Sequence, residues 1–185
     1  MIILSGVAGA GKSIQGRLFA DELGYAWIST GELFRAVVTG ERRRRMLKGE
    51  LLDDQEVIEL LDKTLGLLDL SKELVIEGFP RTQFQAEWLI KQVSDGRLNI
   101  TAIFNLVASK EVVLNRLLSR GRLDDKEEVI ATRFEEYERK TMPIIDYFKS
   151  KGIKVYDINA DLTPSEVHQQ MVKRIGLETK NANPS

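Results

Sequence analysis

Length, composition and charge indicate a globular protein and exclude several other classes. The chain has 185 residues, of which 43% are hydrophobic and 30% charged, enough for one substantial core. Its net charge of −1 gives no overall attraction to nucleic acid or to an anionic membrane, and without cysteine it forms no disulfide bond and no cysteine-ligated zinc site. The sequence shows neither a signal peptide nor an apolar run that could span a membrane, so we expect a soluble cytoplasmic protein.

Short apolar runs alternate with helical patterns along the chain. Buried strands are predicted at residues 2–4, 25–28, 74–76, 100–107 and 153–158. Helices are predicted after the strands, including a long one that Pro143 ends or kinks. Strands that alternate with helices form a parallel sheet covered on both faces, so we predict an α/β fold with a five-stranded parallel sheet. In such folds ligands bind at the carboxyl ends of the strands.

The first predicted strand leads into a glycine-rich loop, GVAGAGKS at residues 6–13. A glycine, four residues and then Gly-Lys-Ser is the spacing of the P-loop, in which backbone N–H groups surround a polyphosphate. The following helix adds unpaired N–H groups and the positive end of its dipole. We therefore expect Lys12 to reach the β- and γ-phosphates of a nucleotide and Ser13 to offer its hydroxyl to Mg²⁺. The plainer alternative is a glycine-rich turn with a solvated lysine.

Arginines form the second informative feature. Those at or just beyond strand ends, or beside a predicted mobile loop, are Arg35, Arg81, Arg120, Arg122 and Arg133. Several arginines that converge on a phosphate site fit phosphoryl transfer, because the transferring group carries negative charge on its equatorial oxygens.

Two other features receive a structural interpretation. The run of four arginines at residues 42–45 suggests a nucleic-acid patch, but the acidic residues of the chain balance it. We interpret the run as a solvated helix face near a phosphate-binding cleft and expect no nucleic-acid partner. The single histidine, His168, lies in the last predicted helix, far along the chain from the glycine-rich loop, and we interpret it as structural or surface.

Four ordered segments together resemble the motifs of the adenylate kinase family. They are residues 6–13, STGELFR at 29–35, EGFPRT at 77–82 with Gln85, and RLDD at 122–125 with Arg133. Gly-Phe-Pro-Arg with a glutamine four residues after the arginine is specific to nucleoside monophosphate kinases, whereas the P-loop is common to many NTPases. The resemblance implies the P-loop NTPase fold and a single kinase domain. That domain would span residues 1–176, with a helical AMP-binding insertion at about 30–65, a very short lid at about 120–128 and a polar tail at 177–185.

The resemblance implies reversible phosphoryl transfer from Mg·ATP to AMP, giving two ADP. The residue matching Thr30 touches the AMP base, and the glutamine matching Gln85 reads the adenine edge. Those matching Arg35 and Arg81 hold the AMP phosphate. The complete AMP-binding set implied in this way is Thr30, Arg35, Leu52, Gly78, Arg81, Gln85, Arg122 and Arg133.

On the donor side, Arg120 matches an arginine that lies against the ATP adenine, and Arg122 and Arg133 match lid arginines that close onto the phosphates. The implied ATP-binding residues are Gly9, Ala10, Gly11, Lys12, Ser13, Ile14 and Arg120, and the implied catalytic residues are Lys12, Arg81, Arg122 and Arg133. The implied cofactor is Mg²⁺ bound with ATP, contacted by Ser13 and, through water, by Glu77, and no zinc is expected. Closure of the lid would exclude water from the phosphates.

The chain departs from the family in three places. Ser13-Ile14 stands where Gly-Thr is usual, Glu77 stands where aspartate is usual, and Arg120 and Arg122 are separated only by Gly121. The lid is therefore shorter than in other short-lid members.

Three alternatives remain beside AMP phosphorylation. A UMP/CMP kinase usually carries alanine where Thr30 stands and asparagine near residues 85–87. The loop also resembles that of gluconate-type small-molecule kinases, which lack the Gly-Phe-Pro-Arg segment. An adenylate-kinase-like regulatory ATPase would bind a partner or RNA through residues 42–45. We expect a monomer with ATP and AMP as substrates and no membrane partner.

Overall fold

A parallel sheet organises the computed structural model, which describes residues 1–176. Its strands are β1 (Ile2–Ser5), β2 (Ala26–Ser29), β3 (Leu74–Glu77), β4 (Ala102–Val107) and β5 (Val155–Asn159). They lie in the order β2-β3-β1-β4-β5, and every pairing is parallel. The predicted α/β fold with a five-stranded parallel sheet is confirmed. The order of the strands changes direction around β1, so the carboxyl end of β1 is the expected ligand position.

Helices cover both faces of this sheet. They are α1 (Lys12–Leu23), α2 (Thr30–Val37), α3 (Gly40–Leu47), α4 (Asp54–Leu65), α5 (Gln83–Ser94), α6 (Lys110–Arg120), α7 (Glu127–Glu136), α8 (Met142–Ser150) and α9 (Pro164–Arg174). The helices α2 to α4 all lie between β2 and β3 in the chain, and only residues 121–126 separate α6 from α7. No helix in residues 1–176 has both the length and the apolar character needed to cross a bilayer.

The core consists of two apolar layers, one on each face of the sheet. Side chains of neighbouring residues on a strand point to opposite faces. On β1, Ile3 therefore packs into one layer, with Ile76 of β3, while Leu4 packs into the other, with Phe104 of β4. All four are no more than 2% exposed. A shift of one residue would exchange the two layers, so the register of the strands is strongly determined.

Polar residues at the carboxyl ends of the strands begin the helices beside the sheet. Ser29 caps α2 by accepting a hydrogen bond from the Glu32 N–H at 3.3 Å, and Thr82 caps α5 in the same way with Gln85. Each cap is worth about 1 kcal/mol and determines the residue at which its helix begins.

Several predicted boundaries differ from the structure by one or two residues, since β2 begins at Ala26 and β5 at Val155. Two further differences have a clear physical cause. The fourth strand begins at Ala102 rather than at residue 100, because its neighbour β1 begins at Ile2, which pairs with Ala102. Pro143 lies in the first turn of α8, directly after a π-helical turn at Tyr137–Thr141. The missing N–H of a proline is tolerated in the first turn of an α-helix, so Pro143 lies near the start of α8 and not at the end of a helix.

Candidate active site

A cavity of about 480 Å³ opens at the carboxyl ends of β1, β2 and β3. The predicted site residues that line it are Gly9, Gly11, Lys12, Ser13, Ile14, Thr30, Arg35, Leu52, Glu77, Gly78, Arg81, Gln85, Arg120, Arg122 and Arg133. Ala10 is the exception, because its side chain is 2% exposed and packs in the core, and its N–H donates to the Val7 carbonyl at 3.2 Å. Residues distant in sequence thus surround one volume.

The backbone of the glycine-rich loop adopts a shape that only glycine allows. Gly6, Gly9 and Gly11 have φ values of 133°, 87° and 99°. A Cβ on Gly6 would lie 2.6 Å from the Leu106 carbonyl oxygen, and one on Gly9 would lie 2.8 Å from Leu117 Cγ. Because these approaches are too close for a side chain, the loop stays narrow and directs its backbone toward the cavity. Gly11 is the N-cap of α1, whose N-terminal end favours an anion.

Lys12 lies in the loop as a cation close to its own backbone. Its Nζ donates to the carbonyl oxygens of Gly6 at 2.6 Å and Val7 at 2.8 Å. Loss of hydration lowers the pKa of Lys12 to about 7, although Glu77 opposes the shift, and Arg81 lowers the pKa further. A bound polyphosphate would favour the charged form of Lys12 and raise this pKa.

Ser13 and Glu77 join the glycine-rich loop to the end of β3. The Ser13 hydroxyl donates to Glu77 Oε1 at 2.7 Å. Glu77 is 4% exposed, and within residues 1–176 its Oε2 has no hydrogen-bond partner. A hydroxyl and a buried carboxylate oxygen of this kind suit Mg²⁺, which binds oxygen ligands and keeps several waters. In the described part of the chain no three His, Cys, Asp or Glu residues cluster as a metal site, so phosphate and water would supply the other ligands.

Arg81 also lines the cavity, in the turn after β3. Its Nε donates to the Gly78 carbonyl at 2.8 Å, and its own carbonyl accepts from the Thr141 hydroxyl at 2.9 Å. Burial, together with the nearby Arg133, lowers the pKa of Arg81 to about 10, so the side chain stays charged at neutral pH. Gly78 has φ 76°, and a Cβ there would lie 2.7 Å from Thr30 Oγ1. The turn therefore requires glycine beside the arginine.

Two buried aspartates hold the arginines of the predicted lid. Asp125 accepts two hydrogen bonds from Arg120, at 2.8 and 2.6 Å, and one from Arg133 at 3.3 Å. Asp124 pairs with Arg133 and, at 3.7 Å, with Arg35. Burial by itself would raise the pKa of both carboxyl groups, but the arginines outweigh it and keep each pKa below its ordinary value. Carboxylates thus orient Arg35, Arg120 and Arg133, whereas Arg81 is oriented by a backbone carbonyl.

Several contributing residues received no role in the sequence analysis. They are Glu32, Asp54, Asp124 and Asp125, of which Glu32 lies 3.7 Å from Arg122. The signal was available for the aspartate pair, since two acidic residues directly after the lid arginines indicate charge complementarity.

The two features interpreted as structural lie apart from the cavity lining. His168 is 3% exposed, its Nδ1 lies 3.1 Å from Gln15 Oε1, and its ring packs edge-on against Phe19. In the arginine run, Arg42 pairs with Glu56 at 2.6 Å, and Arg44 and Arg45 pair with Glu41 and Glu50. Pairing with nearby acids agrees with a solvated, charge-balanced helix face.

The parallel sheet, the glycine-rich loop before α1 and the charged cavity define a nucleotide-binding protein of the P-loop class. A model of the family "Adenylate kinase" matches residues 4–153. The chain is 34% identical over 180 residues to the adenylate kinase of Corynebacterium aurimucosum, covering 94% of this chain and 98% of that protein. It is 37% identical over 182 residues to adenylate kinase isoenzyme 1 of Gallus gallus, covering 92% and 91%. The chain therefore belongs to the adenylate kinase family, and it is an enzyme of this nucleoside monophosphate kinase family.

Proposed function

We propose that this enzyme transfers a phosphoryl group reversibly from Mg·ATP to AMP and forms two ADP. The observation that carries the proposal is the 2.7 Å hydrogen bond between Ser13 and Glu77. It joins the glycine-rich loop, suited to a polyphosphate, to the Glu77–Arg81 turn, suited to a second phosphate. Donor and acceptor phosphates bound to these two segments would lie next to each other, and bringing them together is the main requirement of phosphoryl transfer.

The donor would bind along the glycine-rich loop. Backbone N–H groups of Gly9, Gly11, Lys12 and Ser13 would surround its phosphates, with Ala10 and Ile14 beside them. Lys12 would exchange its two carbonyl contacts for phosphate oxygens. Arg120 would lie against the adenine of ATP. Its side chain is 33% exposed and lines the cavity, which supports this role.

The acceptor would bind between α2 and α5. Arg35 and Arg81 would hold the phosphate of AMP, since both line the cavity. Thr30 and Gln85 would contact the base, with Gly78 and the backbone near Leu52 on either side. Thr30 already donates its hydroxyl proton to the Glu77 carbonyl at 3.0 Å, which fixes its side chain beside the end of β3.

Ser13 and Glu77 would hold the Mg²⁺ that accompanies ATP. When bound, Mg²⁺ neutralises charge on the β- and γ-phosphates. Ser13 would contact it directly, and Glu77 would contact it through a water molecule. We expect chelation of the metal to abolish ADP formation, which a coupled assay with and without excess EDTA measures; full turnover under excess EDTA would contradict a metal role for this pair.

Arg122 and Arg133 would complete the site when ATP is present. Both are paired with carboxylates in this structure, and phosphate oxygens compete for the same guanidinium groups. Transfer of these arginines to phosphate would close residues 121–126 over the cavity. Closure would exclude water, which limits hydrolysis of ATP before an acceptor binds.

The experiment that tests the proposal measures ADP formation from Mg·ATP with AMP, CMP, UMP, GMP or gluconate, each at equal concentration. A parallel reaction without acceptor measures ATP hydrolysis. We expect rapid turnover with AMP alone and little hydrolysis. Faster turnover with UMP, CMP or gluconate would show that this compound, and not AMP, is the acceptor. Hydrolysis of ATP without any preferred acceptor would indicate a regulatory ATPase.

A further inference from the structure

The side-chain amide of Gln85 is held in one orientation by two neighbours of opposite hydrogen-bonding character. Its Oε1 accepts from the backbone N–H of Arg81 at 2.8 Å, and its Nε2 donates to Asp54 Oδ1 at 2.8 Å. A backbone N–H can only donate and an ionised carboxylate can only accept. The positions of the amide oxygen and nitrogen are therefore determined, and Gln85 is only 2% exposed.

Asp54 is itself well placed to keep this orientation. It is the first residue of α4, where a negative charge is stabilised by the helix dipole. Its Oδ1 also accepts from the Thr82 hydroxyl at 2.9 Å, and Thr82 caps the helix that carries Gln85. Asp54 thus joins the start of α4 to the start of α5 and lies against the amide rather than against a phosphate-binding arginine.

The orientation of this amide decides which purine it can recognise. Adenine presents an amino group, a donor, where guanine presents a carbonyl oxygen, an acceptor. Gln85 has one lone pair on Oε1 and one N–H on Nε2 left for a base. With the amide fixed, Oε1 suits the amino group of adenine and repels the carbonyl of guanine. An amide free to turn by 180° would accommodate either base.

We infer that Asp54 is a specificity-determining positioning residue, which excludes guanine nucleotides from the acceptor site by preventing Gln85 from turning. Turning would place the amide NH₂ against the Arg81 N–H and the amide oxygen against the Asp54 carboxylate. Both contacts are repulsive, and two hydrogen bonds would be lost. The role depends on the proposed function, because it concerns the acceptor pocket for AMP.

Asp54→Asn tests the inference, since the asparagine amide can turn and present either a donor or an acceptor to Gln85. We expect the ratio of kcat/KM for AMP to that for GMP to fall by about tenfold or more. The matched control is Glu56→Gln, which removes the same charge from the same helical turn but belongs to a residue paired with Arg42 at 2.6 Å. Its AMP/GMP ratio should equal that of the unmodified enzyme. If Asp54→Asn does not fold, Asp54→Ser replaces it, because a hydroxyl also donates or accepts.

The outcomes separate this role from a structural one and from failure of the proposed function. An equal loss of activity toward AMP and GMP, or an unchanged ratio, would overturn the inference. Absence of AMP turnover in the unmodified enzyme would instead refute the proposed function. In that case calorimetry can still measure the binding of AMP and GMP to the unmodified enzyme and to Asp54→Asn. The inference requires that Asp54→Asn raise the affinity for GMP relative to that for AMP.

Discussion

The glycine-rich loop and the predicted lid face the same cavity but are held in different ways. The loop is held by its backbone, because Gly6 and Gly9 pack against Leu106 and Leu117 at distances that exclude any side chain. Residues 121–126 depend instead on ion pairs, in which the carboxylate of Asp125 binds arginines before and after them. The packed backbone of the loop has no side-chain ion pair to exchange, whereas an arginine can leave a carboxylate for a phosphate. The loop is therefore preorganised for phosphate, whereas the ion pairs that hold the lid can be exchanged for contacts with phosphate.

Removal of the charge of the loop should have the largest effect. We expect Lys12→Met to lower kcat by about 10³, because the charge on the β- and γ-phosphates loses its nearest cation. The glycine-dependent shape of the loop should remain, so the melting temperature should change little. Coupled ADP formation and circular dichroism measure the two quantities. The exposed Lys63→Met is the control, and a kcat within a few-fold of the unmodified value would remove Lys12 from the site.

Removal of the acceptor-side charge should have the next largest effect. We expect Arg81→Ala to lower turnover by at least about 10² while the fold is retained, because the side chain supplies charge stabilisation and not apolar packing. Steady-state kinetics with varied AMP measures the loss. Arg97→Ala, at an exposed arginine paired with Asp62, serves as the comparison variant. Unaltered turnover in Arg81→Ala would show that the acceptor phosphate binds elsewhere.

The pKa of Lys12 predicts a pH dependence of ATP binding. In the protein without ligand the pKa of Lys12 is about 7. Because a bound phosphate favours the protonated lysine, ATP binding above pH 7 requires the uptake of a proton. The Kd for Mg·ATP should therefore rise between pH 7 and pH 9, by up to about tenfold per pH unit. Calorimetry at several pH values measures it. Lys12→Met should remove the dependence, and a constant Kd in the unmodified enzyme would contradict the assignment.

Loss of the ion pairs that hold the lid should change the mobility of residues 119–126 more than it changes kcat. Asp125→Asn removes the carboxylate that pairs with Arg120 and leaves Arg133 with Asp124 as its charged partner. We expect faster amide hydrogen exchange in residues 119–126, a fall of about 1–3 kcal/mol in the free energy of unfolding and a less than tenfold change in kcat. The comparison variant is Asp146→Asn, whose side chain is 87% exposed. Exchange as slow as in the unmodified protein would mean that packing, not the ion pairs, holds the lid.

Sequence patterns predicted the strands and the glycine-rich loop because these features depend on residues that are close together in the chain. The apolar runs predicted the strands, and the glycine spacing at residues 6–13 predicted the loop. Boundaries failed where a neighbour decided them, as for β4, which begins only where its partner β1 begins. The roles of Thr30, Arg35, Gln85 and the other site residues remain predictions.

Contacts between distant residues could not be predicted in this way. Ser13 and Glu77 are 64 residues apart, yet they share a hydrogen bond, because β1 and β3 lie side by side with their carboxyl ends together. The pairing of Asp54 with Gln85 joins two helices that no sequence pattern relates.

The sequence by itself determined the fold class, the order of the elements, the glycine-rich loop and the residue types that surround the cavity. Each of these depends on neighbouring residues or on a fixed spacing along the chain. Only the tertiary structure decided how the charges are oriented: which carboxylate holds each lid arginine, and which way the Gln85 amide points. These features depend on the relative positions of separate elements, and packing of the two core layers against the sheet sets those positions.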